Sequence, residues 1–302
     1  MDGILLLNKP KGLTSHDCVF KLRKILKTKK VGHTGTLDPD VTGVLPICIG
    51  RATKIAEYIS GNDKTYVGEV TLGYSTTTED ASGDKVQEEK VDRQITRAEV
   101  LHVLNQLTGD IQQTPPMYSA VKVNGKRLYE YARKGIHVER PTRNITIHEL
   151  SLLDDREIFE GDTISFSFKV TCSKGTYVRT LAVTIGDMLG FPAHMSHLIR
   201  SASGPFELEQ CSTFEEIEKE MEEGNITSLL IPMVQALSHL PYLQLDDTVA
   251  IKVKNGAVLE ASPLLHNEER LLMIDKTGQP LAIYEKHPSK KGLMKPEKVL
   301  YN

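Results

Sequence analysis

Seven consecutive residues, Gly32-His33-Thr34-Gly35-Thr36-Leu37-Asp38, gather two glycines, two threonines, one imidazole and one carboxylate, with Pro39 next. That composition suits neither a helix nor a regular strand. Gly32 and Gly35 permit backbone conformations and close approaches that other residues resist. The run therefore predicts a loop that holds Asp38 against a substrate. A carboxylate there can be a nucleophile, a general base or a metal ligand. The metal role is the weakest, because no nearby Asp/Glu/His cluster completes a shell. A phosphate-binding loop is excluded, since Gly-x-x-x-x-Gly-Lys-Ser/Thr is absent. The plain alternative is an Asp that hydrogen-bonds a turn before Pro39. The loop alone does not separate the two readings.

A second constellation is Cys172-Ser173-Lys174-Gly175-Thr176-Tyr177-Val178-Arg179-Thr180. It reads as a strand, a glycine turn and a helix, with Thr176 available as cap and Arg179 in the first turn. An arginine opposes the helix dipole at that end, which predicts an anionic partner. Asp38 is the candidate, and such a pair would lower its pKa by roughly 1–3 units. The alternative is an ordinary structural salt bridge. Tyr66, opening a strand in Lys64-Thr65-Tyr66, is either a half-buried strand residue or a platform for a base, worth ~1–3 kcal/mol. His33 is a base contact, a wedge or simply a satisfied hydrogen-bonder. The 115–134 segment interleaves Tyr118, Tyr129 and Tyr131 with Lys122, Lys126, Arg127, Arg133 and Lys134. That mixture fits a single-stranded RNA loop, whose bases stack and whose phosphates pair, or a solvated amphipathic hairpin and helix.

The elements that must position these residues follow from pattern. Ile4–Leu7 predicts a strand, and Thr14 or Ser15 caps a helix running to about Lys29. After the glycine-rich loop come an apolar run at 44–49 and a short helix at 52–59. Residues 66–74 alternate as a strand, and 95–107 predict a helix. The prolines at 115 and 116 exclude helix, and Asn124-Gly125 marks a hairpin turn. Paired strands are expected at 145–153 and 163–171, and helices at 177–189, 214–223 and 232–237. Beyond Pro241 the texture turns to short strands, near 249–253, 271–275 and 281–285.

Length and composition fit this picture. A chain of 302 residues, 39% hydrophobic and 25% charged, suits one large domain, or one domain plus a small one. No run approaches the length of a membrane span, and the N-terminus has no signal-peptide pattern. The four cysteines are far apart, which suggests neither a zinc site nor a disulfide framework and fits a reducing cytoplasm. The net charge of −3 alone argues against nucleic-acid binding, yet residues 1–60 hold ten Lys/Arg against five acids. Basic surfaces can meet a polyanion while the acidic 207–223 stretch faces solvent.

Taken together, these residues resemble the TruB family of bacterial tRNA pseudouridine synthases. The resemblance rests first on Gly32 to Pro39, Thr42-Gly43-Val44-Leu45-Pro46, Gly50 and Ala52-Thr53-Lys54. It extends to Asn8-Lys9-Pro10-Lys11-Gly12, Lys64-Thr65-Tyr66, Leu72-Gly73, and Thr77/Thr78 with Asp80 and Gly83. Pro115-Pro116-Met117-Tyr118-Ser119-Ala120, Lys122, Gly125, Tyr129, Ala132-Arg133 and Gly175 to Leu181 complete it. Val41 stands where the family pattern has Ala. The match spans about residues 3–210 and weakens beyond 240.

The resemblance implies an α+β pseudouridine synthase fold, a mixed, mainly antiparallel sheet flanked by helices and loops, over residues 1–240. It implies an RNA-contacting, thumb-like insertion at about 112–143 and a small β-rich, PUA-like RNA-binding domain over 241–302. The implied activity is isomerisation of uridine 55 in the T loop of tRNA, by a stand-alone cytoplasmic monomer. No cofactor, metal, guide RNA or membrane is expected. Asp38 is then the essential carboxylate, paired with Arg179. Tyr66 stacks on the flipped uracil and takes part in removing the C5 proton. Tyr177 and Leu198 wall the base pocket, Lys64 binds substrate, and His33 occupies the space the extruded nucleotide leaves. Two rival readings remain. An intact Asp38, Tyr66 and Arg179 set argues against a non-catalytic RNA-binding protein. The expanded 115–134 segment and the short tail argue against an RNA-guided synthase.

Overall fold

The computed structural model describes residues 1–301. The chain forms two compact units. Met1–Asp38, Val44–Gly61 and the chain from Pro205 onward make the first, and Pro39–Gly43 with Asn62–Gly204 make the second.

In the first unit the strand Gly3–Lys9 lies between Leu230–Ile231 and Thr42–Ile49, with Val31–His33 antiparallel on the latter's outer part. Gly3–Lys9 is apolar on consecutive positions because both its faces are covered. Leu5 and Leu7 pack with Val19, Leu22 and Leu26 of the first helix and with Phe214 and Ile217. Ile4 and Leu6 pack the other way, with Tyr58, Ile59, Met233, Leu272 and Ile283.

The first helix, Ser15–Ile25, opens with a capping box. Asp17 N donates to Thr14 Oγ1 at 3.1 Å and Thr14 N donates to Asp17 Oδ2 at 2.9 Å, worth about 1 kcal/mol. The expected extension to Lys29 does not form. Lys27 adopts φ +50, and the chain turns to bury Leu26 and feed Val31–His33 back into the sheet. That strand lies where a loop was expected; pairing of 31–33 with 47–49 supplies the hydrogen bonds the composition does not favour.

The C-terminal part of this unit is a small five-stranded, PUA-like sheet. Its order is Tyr242–Gln244, Arg270–Ile274, Pro280–Lys286, Leu293–Val299, Leu259–Glu260. The strand expected at 249–253 is instead the helix Asp247–Lys254. Asp246 Oδ1 caps it by accepting from Val249 N at 2.9 Å, and it buries Ala250 and Val253 three residues apart.

The second unit is an antiparallel sheet in the order Ala193–Ser203, Lys64–Leu72, Ile164–Cys172, Arg143–Leu152, Gly109–Gln113. The helices Arg97–Gln106 and Val178–Leu189 pack against it. Val178–Leu189 buries Leu181, Ala182, Ile185 and Leu189, worth ~1.5–3 kcal/mol for each large side chain. The Thr42–Ile49 strand runs through the division, its first two residues pairing in parallel with Ile199 and Arg200 of the second unit. The fold is thus α+β, with a mixed, mainly antiparallel sheet and a small C-terminal sheet. Among the described residues no helix is long and apolar enough to cross a membrane.

Candidate active site

Asp38 is half-buried and ends a stretch of the first unit. The loop before it is pinned from the first helix. Leu37 N donates to Ser15 Oγ at 2.8 Å, and that hydroxyl donates to Leu37 O at 3.3 Å. Leu37 is buried, and Thr34 N donates to Pro46 O at 3.2 Å. His33, half-buried, pairs with Ile47. The glycine demand expected at Gly32 falls elsewhere, since a Cβ at Gly32 meets nothing nearer than Thr53 Cγ2 at 4.0 Å. It falls at Gly43, whose φ is +105 and whose added Cβ would lie 2.2 Å from Arg200 O. Gly43 is where the chain leaving Asp38 meets the second unit's sheet.

That sheet carries most of the other expected residues on one face. Lys64, Tyr66 and Gly68 alternate along one strand and point the same way. In register, Tyr66 lies between Val170 and Arg200, and Gly68 between Phe168 and Leu198. All are buried. A Cβ at Gly68 would sit 2.8 Å from Phe168 Cζ and 3.0 Å from Leu198 Cδ1; the absent side chain makes room for that apolar wall beside Tyr66. Lys64, also on this face, donates to Asn62 O. Burial, and then the positive charges of Arg200 and Lys174, lower its pKa to about 8.

The helix that covers these strands starts at Val178, and its cap is Tyr177, without a side-chain capping bond. Thr176, expected as cap, instead donates its hydroxyl to Ser173 O at 2.9 Å. Gln113 does the work. Its Oε1 accepts from Tyr177 N at 2.8 Å and its Nε2 donates to Tyr177 O at 3.0 Å. This clamp fixes the half-buried Tyr177, and nothing in the sequence signalled it.

Arg179 is held by three groups from two segments of the chain. Nη1 donates to Thr78 O at 2.9 Å, Nη2 to Tyr118 O at 3.0 Å, and Nε lies 3.9 Å from Asp80 Oδ2. The anionic partner predicted from the helix dipole therefore includes Asp80. The other oxygen of Asp80 accepts from Thr78 Oγ1 at 2.6 Å, Ser82 N at 3.0 Å and Ser82 Oγ at 2.5 Å. Between them, Glu79 sits at φ +64 and accepts from Thr180 Oγ1 at 2.6 Å. Burial raises the pKa of Glu79 against the opposing pull of Thr180, Arg179 and Arg140. Asp80 was visible as a family-like position; its link to Arg179 was not.

The 114–142 segment forms the expected Asn124-Gly125 hairpin, with both residues at positive φ, and then the helix Leu128–Ala132. The Tyr129 ring lies 5.9 and 5.3 Å from the guanidinium carbons of Arg127 and Arg133. Tyr131 is committed to the fold, donating to Val123 O at 3.0 Å. Among the described residues no three His, Cys, Asp or Glu side chains gather as they would around a metal ion.

Lys64, Tyr66, Leu198, Tyr177 and Arg179 thus all belong to the second unit, the first three on one face of its sheet. The structure places Asp38 and His33 in the first unit, with Pro39–Gly43 joining Asp38 to the strand pair beside Arg200.

Residues 23–178 match the family model of the TruB family pseudouridylate synthase N-terminal domain. Residues 179–238 match that of the tRNA pseudouridylate synthase B C-terminal domain. The chain is 63% identical over 300 residues to the tRNA pseudouridine synthase B of Geobacillus thermodenitrificans (strain NG80-2), covering 99% of each. It is also 63% identical to that of Bacillus cereus (strain ATCC 14579), covering 100% of this chain and 98% of the relative. Among solved structures, that of a Cbf5-Nop10-Gar1 complex matches with a TM-score of 0.75 at 27% identity, over 99% of this chain and 84% of the other. On these matches, the family models over residues 23–238 and the relatives over almost the whole chain, the chain belongs to the TruB family of pseudouridylate synthases.

Proposed function

We propose that this protein is the stand-alone tRNA pseudouridine synthase that isomerises uridine 55 in the T loop, with Asp38 as its essential carboxylate. The observation that carries the reading is the 63% identity, over almost the whole chain, with proteins named tRNA pseudouridine synthase B. Similarity to the Cbf5 protein is much lower, at 27%, which favours action without the partners found in that complex.

The reaction breaks the uracil N1–C1′ bond, turns the base and joins C5 to C1′. Nothing leaves and nothing is added, so the site must retain a detached base and exclude water from the sugar. A buried face with Tyr66 beside the Leu198–Phe168 wall suits that task, and Tyr177 closes it from the helix. The nucleotide must be flipped out of the folded loop, at a cost of a few kcal/mol. Stacking on Tyr66 and phosphate contacts offset that cost. His33 occupies the vacated space. Attack at C1′, addition to the uracil ring and removal of the 2′ hydrogen all need Asp38 ionised. In this reading the Arg179 guanidinium, oriented by Asp80, Thr78 O and Tyr118 O, provides the countercharge. Lys64 binds substrate as a cation at neutral pH.

The test is direct. The purified protein alone, incubated with an unmodified T-arm stem-loop, is expected to convert the single target uridine. Asp38→Ala and Asp38→Asn should abolish turnover while tRNA affinity stays within a few fold. Substantial conversion by Asp38→Ala would remove Asp38 from the mechanism.

A further inference from the structure

The helix Ser15–Ile25 buries Ser15, Cys18, Val19 and Leu22 and leaves His16, Asp17, Phe20 and Lys24 exposed, with Asp17 engaged in the cap by Thr14. His16, Phe20 and Lys24 fall four residues apart, on one stripe of the helix. Past the helix end, Lys27, Lys29 and Lys30 are exposed as well. Lys24 Nζ stands 4.6 Å from the centroid of the Phe20 ring, an arrangement that orients the ammonium.

Three observations bear on this surface. The first is density of unpaired charge. Among the described residues, lysines such as Lys11, Lys122, Lys126 and Lys174 also lack a carboxylate within 4.0 Å, but the 24–30 stretch sets four such lysines within seven residues. On this helix Lys21 pairs with Glu218 at 3.7 Å. Among the described residues Lys24, Lys27, Lys29 and Lys30 have no carboxylate within 4.0 Å.

The second is backbone. Lys27 adopts φ +50 just past the helix, the position where glycine is favoured. A side chain is retained where the backbone alone would favour none, a local departure of the kind that functional positions show.

The third is placement. Ser15, the first residue of this helix, holds Leu37 beside Asp38 through its hydroxyl. At the far end Arg23 Nη2 donates to Val31 O at 3.0 Å, where the chain turns back. The cationic end therefore lies about 16 Å along the helix from the Asp38 loop, at 1.5 Å per residue. With ~3.4 Å of axis per phosphate along one strand, that length corresponds to on the order of five phosphates.

We infer that the outer face of Ser15–Ile25, with Lys27, Lys29 and Lys30, is a phosphate-backbone rail for the RNA stem next to the reacting nucleotide. It is a second RNA contact, apart from the 114–142 insertion. The inference rests on the reading of Asp38 as the catalytic carboxylate. Its ligand is the sugar–phosphate backbone of a folded RNA, so it takes no part in base recognition.

The experiment uses the full chain and a full-length unmodified tRNA transcript. Replacing Lys24, Lys27, Lys29 and Lys30 together by Gln should raise KM about tenfold or more near 0.1 M salt, with kcat within twofold. Each lost phosphate contact removes ~0.7–0.9 from the slope of log affinity against log salt, so the slope should flatten by about three. The matching fourfold Lys→Arg variant should behave as wild type. A folded Gln variant with unchanged KM and unchanged salt slope overturns the inference. Should that variant fail to fold, Lys27→Gly decides. Glycine suits φ +50, so its Tm should hold or rise while KM increases two- to threefold; an unchanged KM overturns the proposal. A wild-type protein that forms no pseudouridine would instead overturn the reading of the site itself.

Discussion

The hydroxyl of Ser15 meets the peptide groups of Leu37 twice, accepting from its N–H at 2.8 Å and donating to its carbonyl at 3.3 Å. Both residues are buried, so the pair fixes the loop from within, one residue before Asp38. Ser15→Ala leaves a buried N–H without its acceptor, which costs about 1–3 kcal/mol. Denaturant titration should show that loss, and single-turnover assays a fall in rate with tRNA affinity nearly unchanged. Wild-type stability in the alanine variant would refute the anchor.

Gly43 answers to sterics. A Cβ there would lie 2.2 Å from Arg200 O, on a backbone at φ +105. Gly43→Ala should destabilise the fold by at least about 3 kcal/mol. Gly32→Ala, where the nearest atom is at 4.0 Å, should cost far less. Equal melting shifts for the two variants would contradict this account of the glycines.

Asp80→Asn keeps an oxygen for Thr78 and Ser82 but removes the charge 3.9 Å from Arg179 Nε. The expected outcome is a kcat lowered about 10–100-fold, equivalent to ~1.4–2.7 kcal/mol, with KM and Tm little changed. A purely structural role would instead move Tm and spare the turnover of the folded fraction.

Lys64 gives a pH signature. Its folded pKa is lowered to about 8 from the ordinary lysine value of 10.5, mainly through burial. Above pH 10.5 both states are neutral and the group is silent. As pH falls from 10.5 to 8 the unfolded chain binds the proton first, so stability falls over that window and levels off below it. Lys64→Met should therefore be more stable than wild type at pH 7, by ~1–3 kcal/mol after allowance for residual solvation. The advantage should vanish above about pH 10.5, while substrate binding is lost. A stability difference that ignores pH would contradict the assignment.

Elements with local causes were legible in sequence. Thr14 and Asp17 cap a helix, Asn124-Gly125 turns a hairpin, and the alternation in 163–171 gives a strand buried on one face. Val249, Ile251 and Val253 misled, because alternation over five residues also fits a helix with two buried positions, and Asp246 as cap decides between them. The Gln113 clamp on Tyr177 and the Asp80 contact with Arg179 were out of reach. Each joins residues more than sixty positions apart, and only strand register brings them together. The types of the site residues were readable; the groups that aim them were not.

The first unit is assembled from three separate stretches of chain, and Ile4 finds its strand partner only at Ile231. On the ribosome the Asp38 loop therefore emerges long before the strands and helices that complete its surroundings. Residues 62–204, by contrast, are nearly self-sufficient in sequence, and all of their strands have emerged before Ile231 does. Closing so long a loop is entropically slow. The enzyme should mature late, with Tyr66 and Arg179 already in place while the segment bearing Asp38 waits for the end of synthesis.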